Sequence, residues 1–73
     1  MDSAGSVRQR FGQRIRRLRE AKGWSQERLA AEARLHVTYL SEVEHGKRNI
    51  SLDNIAKLAG ALDVPLAALF EDA

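Results

Sequence analysis

Polar side chains that can form hydrogen bonds cluster in one short stretch, residues 38–45. Thr38, Ser41, Glu42 and His45 occur at intervals of three, one and three residues, so a helix would carry all four on one side. Ser41 beside Glu42 lacks the base and the orienting group that a nucleophile needs. The stretch therefore predicts recognition through hydrogen bonds, on a helix whose outer face suits a groove.

Other chemistry finds little support in the sequence. The chain has no cysteine, so disulfides and thiolate metal sites are excluded. His36 and His45 are nine residues apart and lack acids or thiols at ligand spacing, so we expect no metal. No glycine-rich phosphate loop is present. We therefore expect no enzyme, no cofactor and no small-molecule ligand.

Two short helices must position the polar stretch. Ser25 is a good N-cap and Glu27 adds negative charge to the first turn, so the first of the two begins at Gln26 and runs to about Ala33. After Arg34 the apolar pattern resumes in a different phase, which predicts a sharp turn.

The second helix of the pair opens at His36 and turns Leu40 and Val43 inward. Gly46 stands where a helix commonly stops. These two elements are helices two and three of the chain.

A longer helix is expected before this pair, over residues 7–22. Gly12 in its interior costs about 1 kcal/mol relative to alanine. An apolar stripe at helical spacing faces the core. It consists of Val7, Phe11, Ile15 and Leu18.

Two further helices are expected after the pair. Ser51 caps the fourth helix. Pro65 fits the first turn of a fifth, Leu66 to Phe70. Residues 1–6 and 71–73 are expected to be tails. The apolar face of the fourth helix consists of Leu52, Ile55, Leu58, Ala59 and Leu62.

Charge is polarised along the chain. Residues 1–22 carry seven basic and two acidic groups, residues 23–51 four of each, and residues 52–73 one basic and four acidic groups. A basic end favours a polyanionic partner. The arginines of the first helix also fit a solvated face, and a membrane-surface helix is a third interpretation that the surrounding core disfavours. They are Arg8, Arg10, Arg14, Arg16, Arg17 and Arg19.

The segments SQERLA, TYLSEVE and GKRNISL resemble the helix-turn-helix of the phage repressor and Cro (xenobiotic-response-element) family. The run VEHGKRNISLDNIAKLAGALDV is similar to the controller proteins of restriction–modification systems. The resemblance covers residues 7–70. It implies one all-α domain, a compact five-helix bundle in which helices two and three form the helix-turn-helix.

The resemblance also implies two kinds of DNA contact. Residues that match base-facing positions are Val37, Thr38, Ser41 and Glu42. Residues that match phosphate-contacting positions are Gln26, Tyr39, His45, Lys47, Arg48 and Asn49. Glu42 is equally suited to a salt bridge with Arg48 or Lys47, and Tyr39 to packing.

The chain departs from this family at three positions. Val37 and His45 stand where many relatives have arginine, so the guanine preference of those relatives is not transferred here. Val37 is left to contact a thymine methyl or to pack. Arg34 stands in the turn where the family often has glycine, so a positive φ there would strain the backbone.

The fifth helix is too apolar for its length. Either the monomer buries it or a second copy covers Leu66, Leu69 and Phe70, and the resemblance favours a homodimer. Two copies would place their recognition helices about 34 Å apart, on a palindromic operator.

The expected partners are double-stranded DNA, a second copy and, as a further candidate, RNA polymerase. An antitoxin-like or adaptor module without sequence-specific DNA binding is the alternative. The first residues do not resemble a signal peptide and no stretch is long enough to span a membrane, so we expect a cytoplasmic protein.

Overall fold

The computed structural model describes residues 3–71, which form four α-helices and one 3₁₀ helix without any strand. The all-α prediction is confirmed, but the fifth element is a 3₁₀ helix and not an α-helix. This element has only five residues and begins directly after Pro65. A helix that short forms i→i+3 bonds readily. The elements are α1 (Ala4–Ala21), α2 (Gln26–Ala33), α3 (Val37–Glu44), α4 (Leu52–Leu62) and the 3₁₀ helix (Leu66–Phe70).

Serine side chains cap three of the helices. Ser25 and Ser51 accept hydrogen bonds from backbone amides in the first turns of α2 and α4, as predicted. Ser3 does the same for α1, so this helix begins at Ala4 and the expected tail over residues 1–6 is wrong from Ser3 onward. Met1 and Asp2 lie outside the described residues.

Glu71 follows the 3₁₀ helix and was expected to belong to a free tail. Its carboxylate instead accepts a hydrogen bond from Arg14 Nη2 at 3.0 Å. Arg14 Nε donates to the carbonyl of Ala68 at 2.9 Å, so this arginine ties the C-terminal turn to α1. Asp72 and Ala73 lie outside the described residues.

The core lies where α1 packs against α3 and the 3₁₀ helix, and where α2 and α4 pack against each other. Two predicted core residues are exposed, Val7 and Leu52, the latter with 82% of its surface accessible. Both lie near a helix start and at the edge of the buried face, so the neighbouring helices do not cover them. The buried apolar residues are Phe11, Ile15, Leu29, Ala30, Ala33, Leu40, Val43, Ile55, Leu58, Ala59, Leu62 and Leu69.

The turn between α2 and α3 is left-handed at Arg34, with φ 57° and ψ 44°. Arg34 therefore has the positive φ that glycine adopts freely and that strains an arginine backbone. The Leu35 amide donates to the carbonyl of Ala30 at 2.9 Å, which ends α2 and redirects the chain. A non-glycine residue in this conformation is strained by about 1 kcal/mol or more.

Gly12 lies at the closest contact between α1 and α3. A Cβ atom there would collide with the carbonyl oxygen of Val43 and lie 2.6 Å from the carbonyl oxygen of Glu44. The absence of a side chain therefore lets the two helix backbones touch. This contact gives α3 a fixed position against the rest of the molecule.

Candidate nucleic-acid interface

The outer side of α3 carries the residues predicted to read DNA bases. Thr38 is exposed, and Ser41 and Glu42 are partly exposed. Val37 is half-buried and packs against the core, which supports its packing role. It also borders an open, largely apolar depression. The lining residues are Glu27, Ala30, Ala31, Leu35, His36 and Val37.

Glu42 is paired with Arg48 across the end of α3. Arg48 Nη2 and Nε lie 3.0 and 3.2 Å from the same oxygen of the carboxylate. The guanidinium lies 5.4 Å from the centre of the Tyr39 ring. The salt bridge expected as an alternative role for Glu42 is therefore formed, with Arg48 as its partner. Since both side chains are substantially exposed, the pair contributes at most about 1 kcal/mol and can open easily.

Tyr39 is half-buried on the side of α3 that borders α4. Its hydroxyl accepts a hydrogen bond from Asn54 Nδ2 at 3.1 Å. The ring packs against the core, as the packing interpretation requires. The hydroxyl proton is not used in that bond, so it can still be donated to another acceptor.

The segment after α3 presents the remaining predicted phosphate contacts. Lys47, Arg48 and Asn49 are all exposed. Gly46 has φ 73°, and a Cβ atom there would lie 2.8 Å from the Cα of Gln9, so the loop starts directly against α1. The exposed His45 ring turns back on its own helix, with Nδ1 2.7 Å from the carbonyl oxygen of Ser41.

A buried polar network connects the first turn of α2 to the end of α3. Arg19 donates to both oxygens of Glu44, with distances of 2.7 and 2.9 Å, and to the carbonyl of Trp24 at 2.9 Å. Gln26 Nε2 donates to the same carboxylate at 3.0 Å. The hydrogen bond to Glu44 raises the pKa of the Arg19 guanidinium above its ordinary value, despite the opposing effect of burial.

The arginines of α1 do not all lie on one solvated face. Arg19 is buried and Arg14 is partly buried, so neither belongs to a solvated face. Arg16 and Arg17 are exposed, and Arg16 pairs with Glu20 in the following turn. The sequence held a signal for Arg19, because it lies four residues after Ile15 and therefore on the same side of the helix.

A second surface lies at the opposite end of the chain. Leu66 and Phe70 are 52% and 46% exposed, and the Phe70 ring packs against Phe11 with centroids 5.2 Å apart. Leu69 lies between them in sequence but is completely buried. Leu69 therefore belongs to the monomer core, and the predicted dimer surface is reduced to Leu66 and Phe70.

Neither a membrane span nor a metal cluster occurs in the part of the chain that the structure describes. No helix within residues 3–71 is both long and apolar enough to cross a membrane. No group of three or more potential metal-binding side chains comes together within the same residues.

The helix-turn-helix sequence profile matches residues 15–69, a span that runs from the middle of α1 to the 3₁₀ helix. The chain belongs to the helix-turn-helix family. It is 52% identical over 60 residues to the control protein C.BamHI of Bacillus amyloliquefaciens, covering 81% of this chain and 74% of that protein. It is 43% identical over 67 residues to the control protein C.MunI of a Mycoplasma species, covering 90% of both chains.

A crystal structure of the restriction–modification controller protein C.AhdI from Aeromonas hydrophila has the same fold. The TM-score is 0.88 at 52% identity, over 89% of this chain and 98% of that one. The predicted resemblance to controller proteins and phage repressors is thereby confirmed, as is the predicted class of DNA-binding transcriptional regulator.

Proposed function

We propose that this protein binds a specific double-stranded DNA operator as a homodimer and so regulates transcription of a restriction–modification operon or of its own gene. The main support is the outer side of α3, where Thr38 is exposed and Ser41 partly exposed on a helix fixed from behind by α1 and α2. The similarity to C.AhdI, a restriction–modification controller protein, supports the same assignment.

In the proposed complex α3 lies in the major groove. The hydroxyls of Thr38 and Ser41 form hydrogen bonds with base edges, and the Thr38 methyl group contacts a thymine methyl. Glu42 accepts from a cytosine amine once Arg48 has moved away. Val37 adds apolar contact at the start of the helix.

The flanking contacts hold the DNA backbone without reading sequence. Gln26 and the open amides at the start of α2 bind one phosphate. The other phosphate contacts come from α3 and the segment after it. They are Tyr39, His45, Lys47, Arg48 and Asn49.

Leu66 and Phe70 form the proposed contact between the two copies. A two-fold pair through this surface sets the two α3 helices about one DNA turn apart and requires a palindromic operator. RNA polymerase is a further candidate partner on such an operator, and the cytoplasm is the proposed location.

A selection of bound duplexes from a random pool tests the function and yields the operator. The selected duplex is then expected to bind more tightly than scrambled duplexes, with an affinity that falls steeply as salt rises. Equal competition by scrambled duplexes would overturn the proposal and favour a protein-interaction module.

The base-reading roles are tested with Thr38→Ala combined with Ser41→Ala. Two lost hydrogen bonds of about 1 kcal/mol each lower the ratio of specific to random affinity roughly thirty-fold. The free energy of unfolding is expected to stay within about 1 kcal/mol of the wild-type value, since surface substitutions away from special contacts have small effects. Gln13→Ala, an exposed change on α1, is the control and should alter neither quantity. Unfolding of the double variant would contradict the assignment.

A further inference from the structure

The carboxylate of Glu44 is the most deeply buried charged group at the candidate interface. Only 2% of its side chain is accessible, although it lies in the last residue of α3. It accepts three hydrogen bonds, two from Arg19 and one from Gln26. The two bonds from Arg19 balance the negative charge of Glu44, whereas the third comes from Gln26, a proposed phosphate contact.

Gln26 is the first residue of α2 and is half-buried. A glutamine amide has two N–H donors and one carbonyl acceptor. Glu44 takes one of these donors at 3.0 Å, which leaves the other available. A long side chain that is already fixed loses less conformational freedom when it binds a ligand.

We propose that Glu44 is a positioning residue for DNA-backbone binding, which orients the Gln26 amide so that its second N–H donates to a phosphate. This inference rests on the proposed DNA-binding function. Glu44 itself does not touch the DNA, because its carboxylate is buried and its acceptor sites face Arg19 and Gln26.

Arg19 completes the arrangement from behind. Its third hydrogen bond goes to the carbonyl of Trp24, two residues before α2 begins. One arginine of α1 therefore fixes both the chain that leads into α2 and the carboxylate at the end of α3. Phosphate binding at Gln26 and base reading on α3 consequently share one rigid unit.

The test is a double-mutant cycle on DNA affinity. Replacing Glu44 by alanine would leave the Arg19 charge buried without a partner, so the informative variant is Glu44→Asp, which keeps the charge and withdraws the carboxylate by one methylene. In the wild-type background Glu44→Asp is expected to weaken binding about three- to ten-fold, as the loss of one hydrogen bond would, and to the same extent on selected and random duplexes. In a Gln26→Ala background it is expected to have no further effect.

The possible outcomes separate the two proposals. If Gln26→Ala weakens binding, and Glu44→Asp weakens it by the same factor in the Gln26→Ala background as in the wild type, the positioning role is wrong and the DNA-binding function stands. If Gln26→Ala leaves affinity unchanged, the positioning role and the phosphate contact both fail. Glu42→Asp is the control on the same helix, since Glu42 pairs with Arg48, and its effect should be independent of Gln26.

A measurement on the unmodified protein keeps the test decisive if Glu44→Asp does not fold. Nuclear magnetic resonance relaxation should show the Gln26 side-chain amide to be as rigid as the backbone in the absence of DNA. The amide of Gln13, which is exposed, is the mobile reference. Equal mobility of the two side chains would overturn the inference.

Discussion

Gly12→Ala should destabilise the protein even though alanine is the better helix former. A Cβ atom at Gly12 would lie 2.6 and 2.8 Å from the carbonyl oxygen and carbon of Glu44, and would also collide with the carbonyl of Val43. These obstacles are backbone atoms, so α1 and α3 must move apart. Overpacking of this kind costs about 1–3 kcal/mol, against a helix-propensity gain of about 1 kcal/mol. Because the backbone yields least, we expect the overpacking cost to lie at the upper end of that range and the protein to lose about 2 kcal/mol of stability.

Gly60→Ala is the matched control, since Gly60 is helical and exposed and a Cβ atom there would meet no neighbouring side chain or helix within 4 Å. Here the propensity gain is unopposed, so stability should rise by up to about 1 kcal/mol. Urea denaturation measures both free energies of unfolding, and melting temperatures should differ by roughly 4–8 °C per kcal/mol in a domain of this size. A Gly12→Ala variant at least as stable as the wild type would refute the close-contact argument.

Two further pairs of variants test other features of the fold. Arg34→Gly should raise the free energy of unfolding by about 0.5–1 kcal/mol, since glycine removes the left-handed strain. Asp63→Gly should raise it by less, because aspartate tolerates this conformation better. Chemical denaturation measures both, and an Arg34→Gly variant less stable than the wild type would show that Arg34 is not strained. Leu69→Ala should cost about 2–5 kcal/mol of monomer stability. Leu66→Ala should leave the monomer nearly unchanged and raise the dissociation constant of the proposed dimer, measured by sedimentation equilibrium. A Leu66→Ala variant that dimerises as the wild type does would remove this residue from the proposed interface.

Local signals predicted the elements that position the site. The cap at Ser25 and the change of phase after Arg34 located α2 and the turn, because both depend on neighbouring residues only. The start of α1 was missed because Ser3 precedes the first apolar residue of the pattern. In the third helix, His36 and His45 prove to be the caps of an eight-residue helix.

The contacts that fix the site could not be predicted in the same way. Arg19 and Glu44 are 25 residues apart, and no local pattern specifies which charges on two helices will meet. The sequence shows Gly12 only as a weak helix former, since its role in helix packing depends on the carbonyls of another helix. The number of apolar residues in the 3₁₀ helix does not reveal which of them the core can accept, so the sequence alone does not separate the buried Leu69 from the exposed Leu66 and Phe70.

The two carboxylates of α3 show how the same residue type can serve opposite purposes. Glu42 and Glu44 are two residues apart, which turns them to opposite sides of a helix. The inner pair with Arg19 is almost completely buried, and removing one partner of such a pair costs about 3–5 kcal/mol. The outer pair with Arg48 is exposed and contributes at most about 1 kcal/mol. In the proposed complex, DNA can therefore displace Arg48 from Glu42 at little cost while the inner pair keeps α3 in place.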